Sequence, residues 1–126
     1  MESNSEKYTL LVEKNNFQVF HKWIGEIRFG PELFVLKSIP RIQSLEIGIY
    51  GEWSFTYKNF IFLQKWNSEK NADANIIQIN TETLEIITIK ENILSVFWEA
   101  KVIENNKIEF KFINVKNEFT YNLTGF

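Results

Sequence analysis

His21 and Asp73 are the single histidine and the single aspartate of the chain. A histidine base needs a nucleophile or a carboxylate within hydrogen-bond reach, and the segment around it, VFHKWIG, shows no recognised arrangement of that kind. A lone histidine beside Phe20 and Trp23 is more typical of a structural or surface residue than of a catalytic base. We therefore expect His21 to have no catalytic role.

Thiol, metal and carboxylate chemistry have few candidate residues. The chain contains no cysteine, which excludes disulfides, thiolate zinc sites and cysteine nucleophiles. A calcium loop or a carboxylate dyad would depend on glutamates. Glu46 and Glu52 share one predicted strand face and could form a glycosidase pair, but solvated outward side chains are the commoner outcome. We expect no catalytic residue, no metal and no cofactor.

The glycines do not form a phosphate-binding pattern. Gly25 and Gly30 bracket GEIRFG, and Gly48 and Gly51 bracket GIYG, so both pairs predict strand bends or bulges. A nucleophile elbow, a P-loop and a dinucleotide fingerprint are all missing from the sequence. The sequence therefore predicts a protein that is not an enzyme.

Length, charge and hydropathy limit the remaining classes. The 126 residues and 44% hydrophobic content predict one folded domain over residues 1–126, with residues 1–7 disordered. A net charge of −2 gives no basic footprint for nucleic acid. We see no signal peptide and no apolar run near the roughly 18 residues of a membrane helix. We expect a cytoplasmic protein that binds neither nucleic acid nor membranes.

The hydrophobic pattern has the period of two that is typical of β-strands. In the predicted strand 45–57, alternation divides the residues between two faces. One face holds Leu45, Ile47, Ile49, Trp53, Phe55 and Tyr57, and the other holds Glu46, Tyr50, Glu52, Ser54 and Thr56. The first face is apolar and is expected to enter the core.

Turn signals about ten residues apart predict an all-β fold, an antiparallel meander of eight to ten strands with little helix. A sandwich, a half-open barrel and one strongly twisted sheet all fit this spacing. Residues 21–44 are the least regular, and a short helix could replace a strand there. The predicted core comprises Ile47, Trp53, Phe55, Leu63, Ile77, Val96, Trp98, Phe110 and Tyr121.

The outward side of strand 45–57 is the predicted partner-binding face, because Tyr50 is an interface anchor and the carboxylates can steer a basic partner. Trp66 and Asp73 extend this face. The alternative is that a second sheet or the N-terminal hairpin covers it and buries Tyr50. The predicted face comprises Glu46, Tyr50, Glu52, Thr56, Trp66 and Asp73.

The segments GPELFVLKSIP, GEWSFTYKNFIFLQKWN and NIIQINTETLEI resemble small bacterial immunity proteins of polymorphic-toxin and contact-dependent inhibition systems. The resemblance covers roughly residues 30–104 and carries no site residue over. It implies a cytoplasmic antidote that binds one cognate toxin domain and blocks its active site. The alternative from the residues is a small-molecule or glycan-binding β-domain in which exposed rings stack on the ligand.

Overall fold

The computed structural model describes residues 7–27, 30–70, 73–113 and 118–123, so residues 1–6 of the predicted disordered start lie outside the described residues. Ten strands and one turn of 3₁₀ helix, Gln43–Glu46, account for most of this part. The strands are β1 (Thr9–Lys14), β2 (Phe17–Glu26), β3 (Glu32–Ile39), β4 (Ile49–Tyr57), β5 (Phe60–Trp66), β6 (Ala74–Asn80), β7 (Ile86–Ile93), β8 (Trp98–Glu104), β9 (Lys107–Phe112) and β10 (Glu118–Asn122). The predicted all-β class and strand number are confirmed.

The strands form two antiparallel sheets. A seven-stranded sheet runs in the order β1 to β7, and a three-stranded sheet has β9 between β8 and β10. Within the described ranges β1 and β7 do not pair with each other, so the large sheet stays open. Asparagines at positive φ lie in two of the turns, Asn15 and Asn16 after β1 and Asn106 after β8. The predicted meander is confirmed.

The large sheet buries side chains on both faces. On one face, strands β1–β3 curve toward the rest of the sheet until β1 contacts β4. The cluster enclosed there, here called the inner cluster, is mainly aliphatic. It comprises Phe17, Val19, Leu36, Leu45, Tyr50, Ile61, Leu63, Ile77 and Ile79.

The opposite face packs on the three-stranded sheet through aromatic side chains. Phe62 meets Phe110 with ring centroids 5.7 Å apart and the planes steeply inclined. Of the predicted core residues, Leu63, Ile77, Trp98 and Phe110 are buried, and Trp53, Phe55, Val96 and Tyr121 are partly buried against this aromatic layer. Edge-to-face rings of this kind add specific contact energy to the burial of their area.

The prediction that Ile47 belongs to the core is wrong, because its side chain is 79% exposed. The predicted strand 45–57 begins at Ile49, after the 3₁₀ turn. That turn is closed by the amide of Ile47, which donates to the carbonyl of Ser44 at 3.4 Å. A 3₁₀ turn does not follow the two-residue alternation of a strand. Ile47 therefore faces solvent and not the core that alternation predicts. The less regular segment 21–44 contains part of β2 and all of β3, and the 3₁₀ turn begins near its end.

No helix in the part of the chain that the structure describes is long and apolar enough to cross a membrane.

Candidate functional site

A cavity of about 660 Å³ opens at one end of the two-layer structure. We call it the tryptophan pocket. It is lined by residues 30–32 before and at the start of β3, residues 51–53 of β4, Gln64 and Trp66 of β5, and residues 96–98 at the start of β8. Its volume falls within the roughly 300–1,000 Å³ of small-molecule sites.

An irregularity in β4 forms one wall of the pocket. Tyr50 pairs with Lys65 and Ser54 pairs with Leu63, so residues 51–53 lie opposite Gln64 alone. A Cβ on Gly51 would overlap the side-chain oxygen of Gln64, so this close approach requires glycine. The bulge predicted from the glycines is confirmed at Gly51.

Gln64 ties the two layers together behind this bulge. Its side chain is almost fully buried, and its Nε2 donates to the backbone carbonyl of Val96 at 3.0 Å. The bond joins β5 to the segment between β7 and β8, two parts of the pocket wall that are 32 residues apart in sequence. A buried amide held in this way fixes the wall on which a ligand would rest.

Three hydrogen bonds to backbone carbonyls fix the segment that carries Phe97 and Trp98. The indole Nε1 of Trp98 donates to the carbonyl of Ser95 at 2.7 Å, and the hydroxyl of Ser95 donates to the carbonyl of Ile113 at 2.6 Å. The amide of Ile113 donates to the carbonyl of Phe97 at 2.9 Å. Phe97 lines the pocket while its side chain is 67% exposed, which makes it accessible to a ligand or a partner.

Three of the four tryptophans of the chain line the pocket. Trp53 and Trp98 meet edge to face, with centroids 5.1 Å apart and planes at 66°, and form a corner. Trp66 is 3% exposed, and its Nε1 has no hydrogen-bond partner among the described residues. Cζ2 of this indole, two bonds from Nε1, lies 3.3 Å from the place that a Cβ of Gly51 would take, so the N–H edge of the ring is close to the pocket lining.

The charged groups of the pocket are acidic. Glu32 and Glu52 line it, and the lining residues of the described ranges include no lysine, arginine or histidine. The charge of Glu52 also acts beyond the pocket, on His21, which stacks on Phe34 with ring centroids 4.6 Å apart. Burial lowers the pKa of His21, and the Glu52 carboxylate raises it by a smaller amount.

The prediction that Tyr50 faces outward is wrong. Its side chain is 1% exposed within the inner cluster, and this burial raises the pKa of its hydroxyl. The N-terminal hairpin contributes Phe17 and Val19 to the same cluster. The alternative, in which the N-terminal hairpin covers this face, therefore describes the structure.

The other predicted partner-binding residues are spread over the molecule. Glu52 and Trp66 come together in the tryptophan pocket, although Trp66 is buried there. Glu46 lies in the 3₁₀ turn and accepts hydrogen bonds from Arg41, at 2.9 Å from Nε, which lower the pKa of Glu46. Asp73 accepts a hydrogen bond from Asn67 at 3.0 Å, and Thr56 is half-buried on β4.

Sequence reasoning missed several pocket residues. Trp53 and Trp98 were expected in the core, where they do pack, but each also turns part of its ring toward the cavity. Glu32 and Gln64 had no pattern that marked them. The sequence signal that could have located the pocket was Gly51, where a bulge was predicted, followed directly by Glu52 and Trp53.

No group of three or more histidine, aspartate and glutamate side chains is placed to hold a metal ion within the described residues. Comparison of the chain with protein-family models, with curated proteins and with solved structures found no match.

Proposed function

We propose that the protein acts by binding rather than by catalysis, and that it holds a small organic ligand in the tryptophan pocket. The observation that carries the proposal is a cavity of about 660 Å³ lined by three tryptophans. This proposal develops the small-molecule or glycan-binding alternative of the sequence analysis.

The walls of the pocket combine the two kinds of contact that small-ligand sites use. Indole rings supply a large apolar contact area, and a few polar groups set the orientation of the ligand. The polar groups of the lining are the carboxylates of Glu32 and Glu52 and the buried side chain of Gln64.

A ligand screen read out by thermal shift and tryptophan fluorescence tests the proposal. A ligand that enters the pocket stabilises the folded protein and changes the indole emission, because three of the four tryptophans line the site. Trp53→Leu should weaken binding at least tenfold, whereas Trp23→Leu, at an exposed ring outside the pocket, should leave it unchanged. Equal effects of the two substitutions, or no ligand in a screen of sugars, amines and nucleosides, would contradict the proposal.

A second function, that of an immunity protein, is favoured by an exposed apolar surface next to the pocket. We call this surface the apolar rim; it consists of Leu94, Phe97 and Ile113, and Leu94 and Phe97 are 73% and 67% exposed. Adjacent exposed apolar side chains mark protein-binding sites. In this proposal the protein is a cytoplasmic antidote, and its rim docks on a cognate toxin domain and occludes the active site of the toxin.

If a large secreted protein is encoded beside this chain, co-expression with the C-terminal domain of that protein tests the second function. The antidote should restore growth, and Phe97→Asp should abolish the rescue without lowering the melting temperature. Ile47→Asp introduces the same charge outside the rim, at a side chain that is more exposed than Phe97. It is the matched control and should still rescue growth. Growth arrest that the unmodified chain does not relieve would count against the antidote function for that toxin domain.

A further inference from the structure

We infer that the group that enters the tryptophan pocket is an organic cation, an alkylammonium or a guanidinium. The inference rests on the proposed binding function and specifies the chemistry of the ligand. It follows from the charge of the lining, the arrangement of the rings and the size of the cavity.

The charge of the lining favours a cation. Glu32 and Glu52 come from different strands and line the same cavity, and the described lining holds no basic side chain to neutralise them. Two carboxylates beside low-dielectric aromatic walls concentrate negative potential in a cleft. An anionic ligand would be repelled there, and a neutral ligand would gain nothing from that potential.

The rings form a corner and not a platform. Trp53 and Trp98 are inclined at 66°, and Trp66 and Trp98 are 3% and 6% exposed. Stacking of a sugar needs one broad accessible ring face, which these buried indoles do not offer. A compact cation needs less ring surface than a sugar and can contact the half-buried ring of Trp53, since cations are attracted to the faces of indoles and are bound by aromatic cages.

The volume leaves room for a cation that is part of a larger ligand. A cavity of about 660 Å³ is far larger than a trimethylammonium group, so it can also hold an apolar body or a chain. The same cation chemistry has two sources, a small amine or guanidine and the lysine or arginine side chain of a protein. Both predict a preference for positive charge, and the experiment separates them.

Calorimetric titrations with matched probes test the inference. Choline and 3,3-dimethylbutan-1-ol have the same shape, but only choline is charged. We expect choline to bind roughly tenfold more tightly than the alcohol, as a partly desolvated cation–aromatic contact implies. Equal binding of the two probes, or binding of cellobiose without binding of choline and butylguanidinium, would overturn the inference and leave the proposed ligand-binding function standing. Failure of every probe, charged and neutral, would overturn both.

A carboxylate substitution assigns the preference to the pocket. Glu52→Gln keeps the shape of an exposed side chain and removes its charge, so choline should bind roughly tenfold more weakly and dimethylbutanol should bind unchanged. Glu82→Gln, at an exposed carboxylate between β6 and β7, is the matched control and should change neither affinity. Loss of choline binding in both variants, or in neither, would contradict the assignment.

Short peptides separate the two sources of the cation. Peptides with a central lysine or arginine should bind more tightly than choline if a protein side chain is the natural occupant. Choline or butylguanidinium should bind more tightly if the occupant is a small molecule. In both cases the same peptides with norleucine in place of the basic residue should bind at least tenfold more weakly, and equal binding of the norleucine peptides would refute a cation site.

Discussion

The hairpin of β4 and β5 is closed at one end and open at the other. At its turn, hydrogen bonds join it to the turns of both sheets. The amine of Lys58 donates to Asn106 at 2.6 Å, the amide of Asn59 donates to Asn80 at 3.2 Å, and the hydroxyl of Tyr57 accepts from the backbone of Asn106 at 3.1 Å. We call this the closed end.

At the other end the same two strands lose their regular pairing. Five residues of β4, Tyr50 to Ser54, face three of β5, Lys65 to Leu63. Here the small sheet is tied to the hairpin by Gln64 and the carbonyl of Val96, and the tryptophan pocket lies beside this bond. We call this the open end. The comparison shows that the cavity lies where β4 has extra residues, and that the end with regular pairing is closed by hydrogen bonds between turns.

Tyr50→Ala should have the largest effect, because Tyr50 fills the inner cluster beneath the open end. We expect a loss of about 3–5 kcal/mol in the free energy of unfolding, as for other buried aromatic truncations. Ile47→Ala, three residues earlier at an exposed side chain, should change it by less than about 0.5 kcal/mol. Urea unfolding measures both, and a loss below about 1 kcal/mol for Tyr50→Ala would show that the inner cluster does not support this end.

The closed end could be predicted from the sequence, because its signals are local. Asparagine tolerates positive φ, and the asparagine pairs at 15–16 and 105–106 lie in turns between strands. Alternation likewise gave the strands and most of the core. It misplaced Ile47 and Tyr50 because a 3₁₀ turn broke the period and because strands from the N-terminal third cover a face that looked polar.

The open end could not be predicted in the same way. Gly51 indicated a bulge, but the number of extra residues depends on the register between β4 and β5, which no short pattern encodes. The contact of Gln64 with Val96 depends on how the second sheet docks. The pocket is therefore a product of tertiary packing, and its residues carry no shared sequence signal.

Gln64→Leu should loosen the open end alone. It leaves the partly buried carbonyl of Val96 without the donor that it has now, which costs about 1 kcal/mol. Affinity for a pocket ligand should fall as well, since the wall is no longer fixed. Gln78→Leu, at another buried glutamine and outside the pocket lining, is the control and should leave ligand affinity unchanged. Unchanged ligand affinity in Gln64→Leu would show that the bond does not shape the pocket.

Asn80→Ala should weaken the closed end alone, by about 1–1.5 kcal/mol. The Asn80 side-chain oxygen accepts hydrogen bonds from the backbone amides of Glu82 and Thr83, at 2.9 and 3.1 Å, and from the side chain of Asn59. Removing this acceptor takes these hydrogen bonds away from the turn between β6 and β7, which lies outside the pocket lining. Chemical denaturation should detect the loss, and calorimetry should show the same ligand affinity as the unmodified protein. Weaker ligand binding in this variant would mean that the two ends are coupled.

The smallest expected effect is a change in the titration of His21, which reports the charge at the open end. Burial holds the pKa of His21 below its usual 6.5, so the unfolded chain binds more protons at mildly acidic pH. Stability should therefore fall as the pH decreases below about 6.5, and the fall should end below the folded-state pKa. His21→Gln should flatten this part of the stability profile.

Glu52 partly opposes the effect of burial, because its negative charge favours the protonated ring. Glu52→Gln should therefore lower the pKa of His21 further, and a cation bound in the tryptophan pocket should do the same by neutralising that charge. NMR titration measures the shift directly, since the chain has one histidine and its ring protons need no assignment among others. Glu82→Gln should leave the titration unchanged. An unchanged His21 pKa in Glu52→Gln would show that the carboxylate does not act on the ring, and an unchanged pKa on binding choline would place the cation away from Glu52.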